Sequence, residues 1–155
     1  MSTMKSVMLA IDGAIRARDQ AASNLAKSQL ATASAQSQLD QLEHYASDTE
    51  CRWSDSSARH TTSELMRHHY QFLDRLHHAI GLQREVIRSL TLQVDDARNI
   101  LLQLELRLAG LKKLEAKQRS TQNALSARRE QVQMDEFAAL QHTKVAVHRQ
   151  TGGRP

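Results

Sequence analysis

The sequence is short of the residues that break helices and of those that fill globular cores. Glycine occurs five times in 155 residues, and the single proline is Pro155. Proline is the strongest helix breaker and glycine the next, so almost nothing interrupts a helix before Gly152. Aromatic residues make up 3%: Tyr45, Trp53, Tyr70, Phe72 and Phe137. An α/β enzyme domain needs glycine-rich turns and β-branched strands, and neither is present. The one cysteine, Cys51, permits no internal disulfide and so argues against a disulfide-stapled secreted fold. No apolar run comes near the roughly 20 residues that span a bilayer. The stretch from Met4 to Ile15 is interrupted by Asp12 and makes a poor signal peptide, so a cytoplasmic protein is expected.

What is abundant is Ala, Leu, Gln and Arg, with charged residues at 25%, a composition typical of long helices and coiled coils. The net charge of +4 is uneven. Lys112 to Pro155 holds nine Lys/Arg against four Asp/Glu, and the preceding residues balance to −1. This basic segment suits a solvated helix face or an acidic partner.

A heptad pattern runs through the second half. Met66, Leu73, Ile80, Ile87, Val94, Leu101 and Leu108 form one set, and His69, Leu76, Gln83, Leu90, Ala97, Leu104 and Leu111 the other. Twelve of these fourteen positions are apolar, the mark of a seam facing a partner helix. In the same register Glu115, Gln118, Gln122, Leu125, Arg129, Val132 and Glu136 follow, and the seam fades. The first half carries a related pattern rich in alanine. Its sets are Met4, Ile11, Arg18, Leu25, Thr32, Leu39, Ala46, Trp53 and Val7, Ala14, Ala21, Ser28, Ala35, Leu42, Thr49. Between the halves, Ser54 to Thr61 concentrates turn formers. Thr61 and Glu64 have capping-box spacing.

These features predict an all-α fold, an antiparallel two-helix coiled-coil hairpin with a longer, protruding C-terminal helix. Helix one is expected over about 4–54, the loop over about 55–62 and helix two over about 63–143. Together they make a single coiled-coil hairpin over 1–147, and 148–155 are expected to be a flexible tail. With the bend near residue 60, paired residue numbers should total about 121. Helix one then covers helix two to about residue 117, where the seam fades. The remaining basic helical residues should be unpaired.

The positions flanking the seam differ between the two sides. Asn24, Ala31, Gln38, Tyr45 on helix one and Leu65, Phe72, Ala79, Val86, Gln93, Ile100 on helix two share a largely apolar side. The other side carries Ile15, Gln29, Gln36, Glu43, Glu50 and His77, Arg84, Arg98, Glu105, Lys112. Both flanks of most coiled coils are charged. Tyr45 and Phe72, near Leu42 and Leu76, therefore form a candidate protein-docking patch.

Catalytic and metal chemistry find little support. His68, His69, His77, His78 and His44 are not spaced as helix-borne zinc ligands, and His69 sits on the seam. There is no glycine-rich phosphate loop and no partner histidine for Cys51. The expectation is a non-enzyme with no cofactor, no metal and no catalytic residues.

The runs Gln38-Leu39-Asp40-Gln41-Leu42-Glu43-His44-Tyr45 and Tyr70-Gln71-Phe72-Leu73-Asp74-Arg75-Leu76 are distinctive. So are Ala79-Ile80-Gly81-Leu82-Gln83, Lys113-Leu114-Glu115 with Gln118-Arg119, and Met134-Asp135-Glu136-Phe137-Ala138. In order and spacing, over about residues 4–140, they resemble FliJ, the small coiled-coil component of the flagellar type III export apparatus. The resemblance implies an antiparallel two-helix coiled coil similar to the central stalk of rotary ATP synthases. It implies association with the hexameric export ATPase FliI and with the cytoplasmic domain of the export gate FlhA, which places the protein peripherally at the inner face of the cell membrane. It also implies a chaperone role toward the export chaperones of late substrates.

By this resemblance the gate-binding surface is Gln38, Leu42, Tyr45, Phe72, Leu76 and Ala79. It also includes Thr49, where the family often has Tyr, and Gln83, where His occurs. By analogy with a rotor stalk, Leu111, Leu114, Gln118 and Arg119 would meet the ATPase ring. Two alternatives remain at this level: the equivalent stalk protein of an injectisome, and a basic coiled-coil scaffold or nucleic-acid-binding protein. The second predicts steeply salt-dependent binding through Arg128, Arg129 and Lys144. Scarce aromatics in the basic segment count against single-strand stacking and against any specific nucleic acid.

Overall fold

The computed structural model describes residues 2–57 and 62–152. They form two helices packed against each other as an all-α antiparallel hairpin: α1, Ser2–Ser57, and α2, Ser63–Thr151. No strand occurs among the described residues.

Both helices run further than their patterns suggest. Asp55, Ser56 and Ser57, expected in the loop, belong to the last turn of α1. Serine and aspartate are mediocre helix formers, but without a proline or glycine nothing stops the ladder there. Residues 58–61, including Thr61, lie outside the described residues. The cap seen on α2 is Thr62, whose Oγ1 accepts from Leu65 N–H at 3.3 Å, with Glu64 in the first turn. At the other end α2 continues past Thr143 to Thr151, through residues 148–151 that were expected to be a tail. No glycine or proline intervenes between Gly110 and Gly152, and His148 and Arg149 stand in the last turn, where positive charge favours the terminal carbonyls. Gly152 N–H closes the helix onto the His148 carbonyl at 3.1 Å.

The burial pattern follows the seam. All fifteen α1 positions from Met4 to Trp53 are buried or half-buried, and so is every α2 seam position from His69 to Gln118. Met66 is exposed, and from Arg119 to Gly152 every residue is exposed.

The chain divides into two compact units. One is Ala14–Arg107. Ala14, Ala21, Ala35, Leu39 and Ala46 of α1 and Leu76, Ile80 and Val94 of α2 are buried in it. Leu39, Ala46, Leu76 and Ile80 cluster, and Leu42 and Ile87 pack against them. Alanine supplies most of the α1 contribution, so large α2 side chains meet small α1 ones. In the other unit, Met1–Gly13 with Leu108–Pro155, Val7, Ile11 and Leu108 are buried among the described residues.

Interhelical pairs in the first unit fix the register. Gln83 Nε2–H donates to Gln38 Oε1 at 3.1 Å, a pair whose numbers total 121. On one flank Tyr45 meets Phe72, totalling 117. On the other, Glu43 with Arg84 and Glu50 with His77 both total 127. The two flanks bracket a seam value of 122, one residue from expectation. A slip of even one residue would break all of these pairs together.

Candidate docking surface

The two flanks of the Ala14–Arg107 unit are chemically unlike. One is closed by polar pairs: Arg84 Nη2 donates to Glu43 Oε1 at 2.9 Å, and His77 Nε2 lies 3.2 Å from Glu50 Oε1. These pairs follow from the heptad, because antiparallel packing places like flank positions side by side. The other flank holds an aromatic pair. Tyr45 and Phe72 meet edge to face, with ring centroids 6.0 Å apart and planes at 83°. Tyr45 remains 55% exposed and Phe72 40%. Edge-to-face contact satisfies the ring quadrupoles without removing the rings from water. The pair is therefore ordered and still available.

The other positions of the expected gate surface lie in this unit but take different roles. Leu76 is buried in the core cluster, and Leu42 packs against that cluster half-buried. Burial makes them the base of the patch, not its contact surface. Ala79 is half-buried and Gln38 exposed. Thr49 Oγ1 donates to the Tyr45 carbonyl at 2.8 Å, one turn back. Gln83 Nε2–H donates to the Ala35 carbonyl at 2.9 Å as well as to Gln38. Thr49 and Gln83 spend their hydrogen bonds within the hairpin.

The residues expected at the ATPase belong to the other unit. Leu111 and Gln118 are half-buried, and Leu114 and Arg119 are exposed. Arg119 Nη2 donates to Glu115 Oε1 at 2.8 Å. Gln118 Oε1 is buried without a hydrogen-bond partner.

Three of the histidines, His44, His69 and His77, have ordinary partners. His69 stacks on Trp53 with centroids 4.1 Å apart and planes at 10°, and His44 lies 3.4 Å from Asp48. No group of three or more His, Cys, Asp or Glu that could hold a metal occurs among the described residues. None of the described helices is long and apolar enough to cross a membrane.

Heptad reasoning placed Leu65 and Val86 on the apolar flank but passed over Leu82, which is 56% exposed. Leu82 holds the position next to that flank, on its outer side. The signal was present: Leu82 lies three residues after Ala79 and four before Val86, on the same helical face.

The flagellar FliJ protein family model matches residues 9–146, nearly the whole of both helices. The chain belongs to the FliJ family. No curated protein and no solved structure matches it. Membership makes the chain a coiled-coil protein related to flagellar export, and it favours the flagellar system over the injectisome. It also brings the family match onto both the aromatic pair and the Met134-Asp135-Glu136-Phe137-Ala138 block, each of which lies inside the matched residues.

Proposed function

We propose that this FliJ-family chain is a non-enzymatic adaptor and chaperone of the flagellar type III export apparatus. It docks on the cytoplasmic domain of the export gate, FlhA, through its apolar flank. It works in the cytoplasm and reaches the inner face of the membrane only through the gate. The observation that carries this reading is the edge-to-face Tyr45–Phe72 pair, which is exposed on one flank while polar pairs occupy the other. Exposed aromatics over an aliphatic base are what anchors a transient protein interface.

The second contact in this reading is with the hexameric ATPase FliI, through Leu111, Leu114, Gln118 and Arg119. Exposed Lys112, Lys113, Lys117, Arg128 and Arg129 surround these positions in sequence and suit an acidic ring surface. Export chaperones of late substrates are the expected cargo-side partners.

A pull-down against the gate's cytoplasmic domain tests the docking claim. The wild type should be retained and a Tyr45→Ala, Phe72→Ala double variant lost. Both substitutions are on exposed side chains, so the fold should survive them. Equal retention of the two proteins would remove gate docking from the reading.

A further inference from the structure

The bend does little to fix how far one helix slides along the other. Between Gly13 and Gly81 the sequence has no glycine and no proline. Ser56, Ser57, Thr62 and Ser63 border the bend, and each is a residue type that caps a helix. The chain can therefore reverse a few residues earlier or later, and a slip of one heptad moves the bend by only about half that length.

Most contacts of the Ala14–Arg107 unit find a substitute after such a slip. Glu43 pairs with Arg84 and Glu50 with His77. One heptad out, Glu50 meets Arg84 or Glu43 meets His77. Tyr45 meets Phe72, and Leu65 and Ala79 stand seven residues to either side of Phe72 on the same apolar row. Trp53 stacks on His69, and Leu76 lies one heptad further along α2. A seven-residue repeat in both helices generates these replacements.

Gln83 has no substitute. It is half-buried, and it is the one polar residue among the α2 seam positions from Leu73 to Leu111. Its Nε2–H group donates to the Ala35 carbonyl at 2.9 Å and to Gln38 Oε1 at 3.1 Å. Ala35 is small, which lets an amide reach the main chain behind it. One heptad further along α1 the carbonyl is that of Leu42, whose side chain packs on the core cluster. One heptad back it is that of Ser28, which already accepts from Thr32 Oγ1 at 2.9 Å. In the place of Gln38 stand Tyr45 or Ala31, and neither carries a side-chain amide. Either slip leaves a half-buried amide without both partners, and an unsatisfied polar group is costly.

We propose that Gln83 is the positioning residue of the hairpin: its two hydrogen bonds select one register from those a heptad apart, and so set Phe72 against Tyr45. Register is a property of the free chain, so this goes beyond the gate-docking reading and does not depend on it.

The test is a spin-label distance measurement on the full-length chain, with Cys51→Ser and with nitroxides on Leu30→Cys and His78→Cys. Both positions are exposed and lie in the Ala14–Arg107 unit. His78 lies roughly opposite His44, so the labels are staggered by about 21 Å along the axis, and a one-heptad slip changes that stagger by about 10 Å. With Gln83 in place a single distance is expected. Gln83→Leu, and Gln83→Glu, which matches glutamine in size but offers no N–H, should each add a second distance. The ratio of slipped to native register should rise by about tenfold or more. Circular dichroism confirms that each variant is folded. A folded Gln83→Leu or Gln83→Glu chain that keeps the single distance overturns the proposal. Gate binding by the Tyr45→Ala, Phe72→Ala variant has no bearing on these distances, so the two readings fail separately.

Discussion

Gln83 of α2 donates its side-chain N–H to the backbone carbonyl of Ala35 on α1, 48 positions away in the chain, at 2.9 Å. It is the polar residue of a seam otherwise occupied by Leu76, Ile80, Ile87 and Leu90. A polar group at one seam position fixes register at some cost in stability. Gln83→Leu should therefore raise stability by about 1 kcal/mol, because it adds half-buried apolar surface and the Ala35 carbonyl keeps its helical bond. Urea denaturation followed by circular dichroism measures this. A loss of stability would show that the hydrogen bond outweighs the apolar gain.

Close approach in the core depends on alanine. Ala46, 4% exposed, shares a cluster with Leu39, Leu76 and Ile80. Ala46→Leu should destabilise the hairpin by about 1–3 kcal/mol through overpacking, despite leucine's better burial. A melting temperature equal to or above that of the wild type would contradict this.

The ion pairs of the polar flank should matter little to stability. Arg84 and Glu43 have side chains 62% and 42% exposed. A double-mutant cycle on Glu43→Gln and Arg84→Met should give a coupling of about 0.2–1 kcal/mol that shrinks in high salt. A salt-independent coupling would mean that the pair is drier than its exposure indicates.

Glycine in the helices serves no steric purpose. A Cβ built on Gly81 meets nothing within 4 Å, and its φ is not positive. Gly81→Ala should stabilise α2 by about 0.5–1 kcal/mol. Thermal melting followed at 222 nm reads this out.

Residues 119–151 are helical with every side chain exposed. A helix without a packed face gains little beyond its own propensity and frays readily. Amide exchange should therefore be much faster at 119–151 than at Leu76 to Val94, and exchange of comparable rate in the two would contradict it.

The seam was legible in the sequence down to single residues, because period 3.5 and burial are two expressions of one geometry. The register was legible too, since an antiparallel hairpin ties each residue number to one other. The helix ends were not. Ser54 to Ser57 looked like a turn, yet turn propensity there loses to the absence of any residue that forbids the helix. At Thr143 the apolar pattern ends while the helix does not, because periodicity reports packing and the backbone ladder needs none. At the candidate site the aromatic pair could be read from flank positions and the inward Leu42 and Leu76 from their places on the seam, while exposed Leu82, outside both sets, was passed over.

One flank of the Ala14–Arg107 unit is taken up by its own Glu43–Arg84 and Glu50–His77 pairs, and the other is open. A surface of this kind has a valency of one. Two partners that use the apolar side cannot be held together on a single chain, so exchange between them must pass through release. Occupancy, set by relative concentration and affinity, then decides which partner the chain serves at any moment.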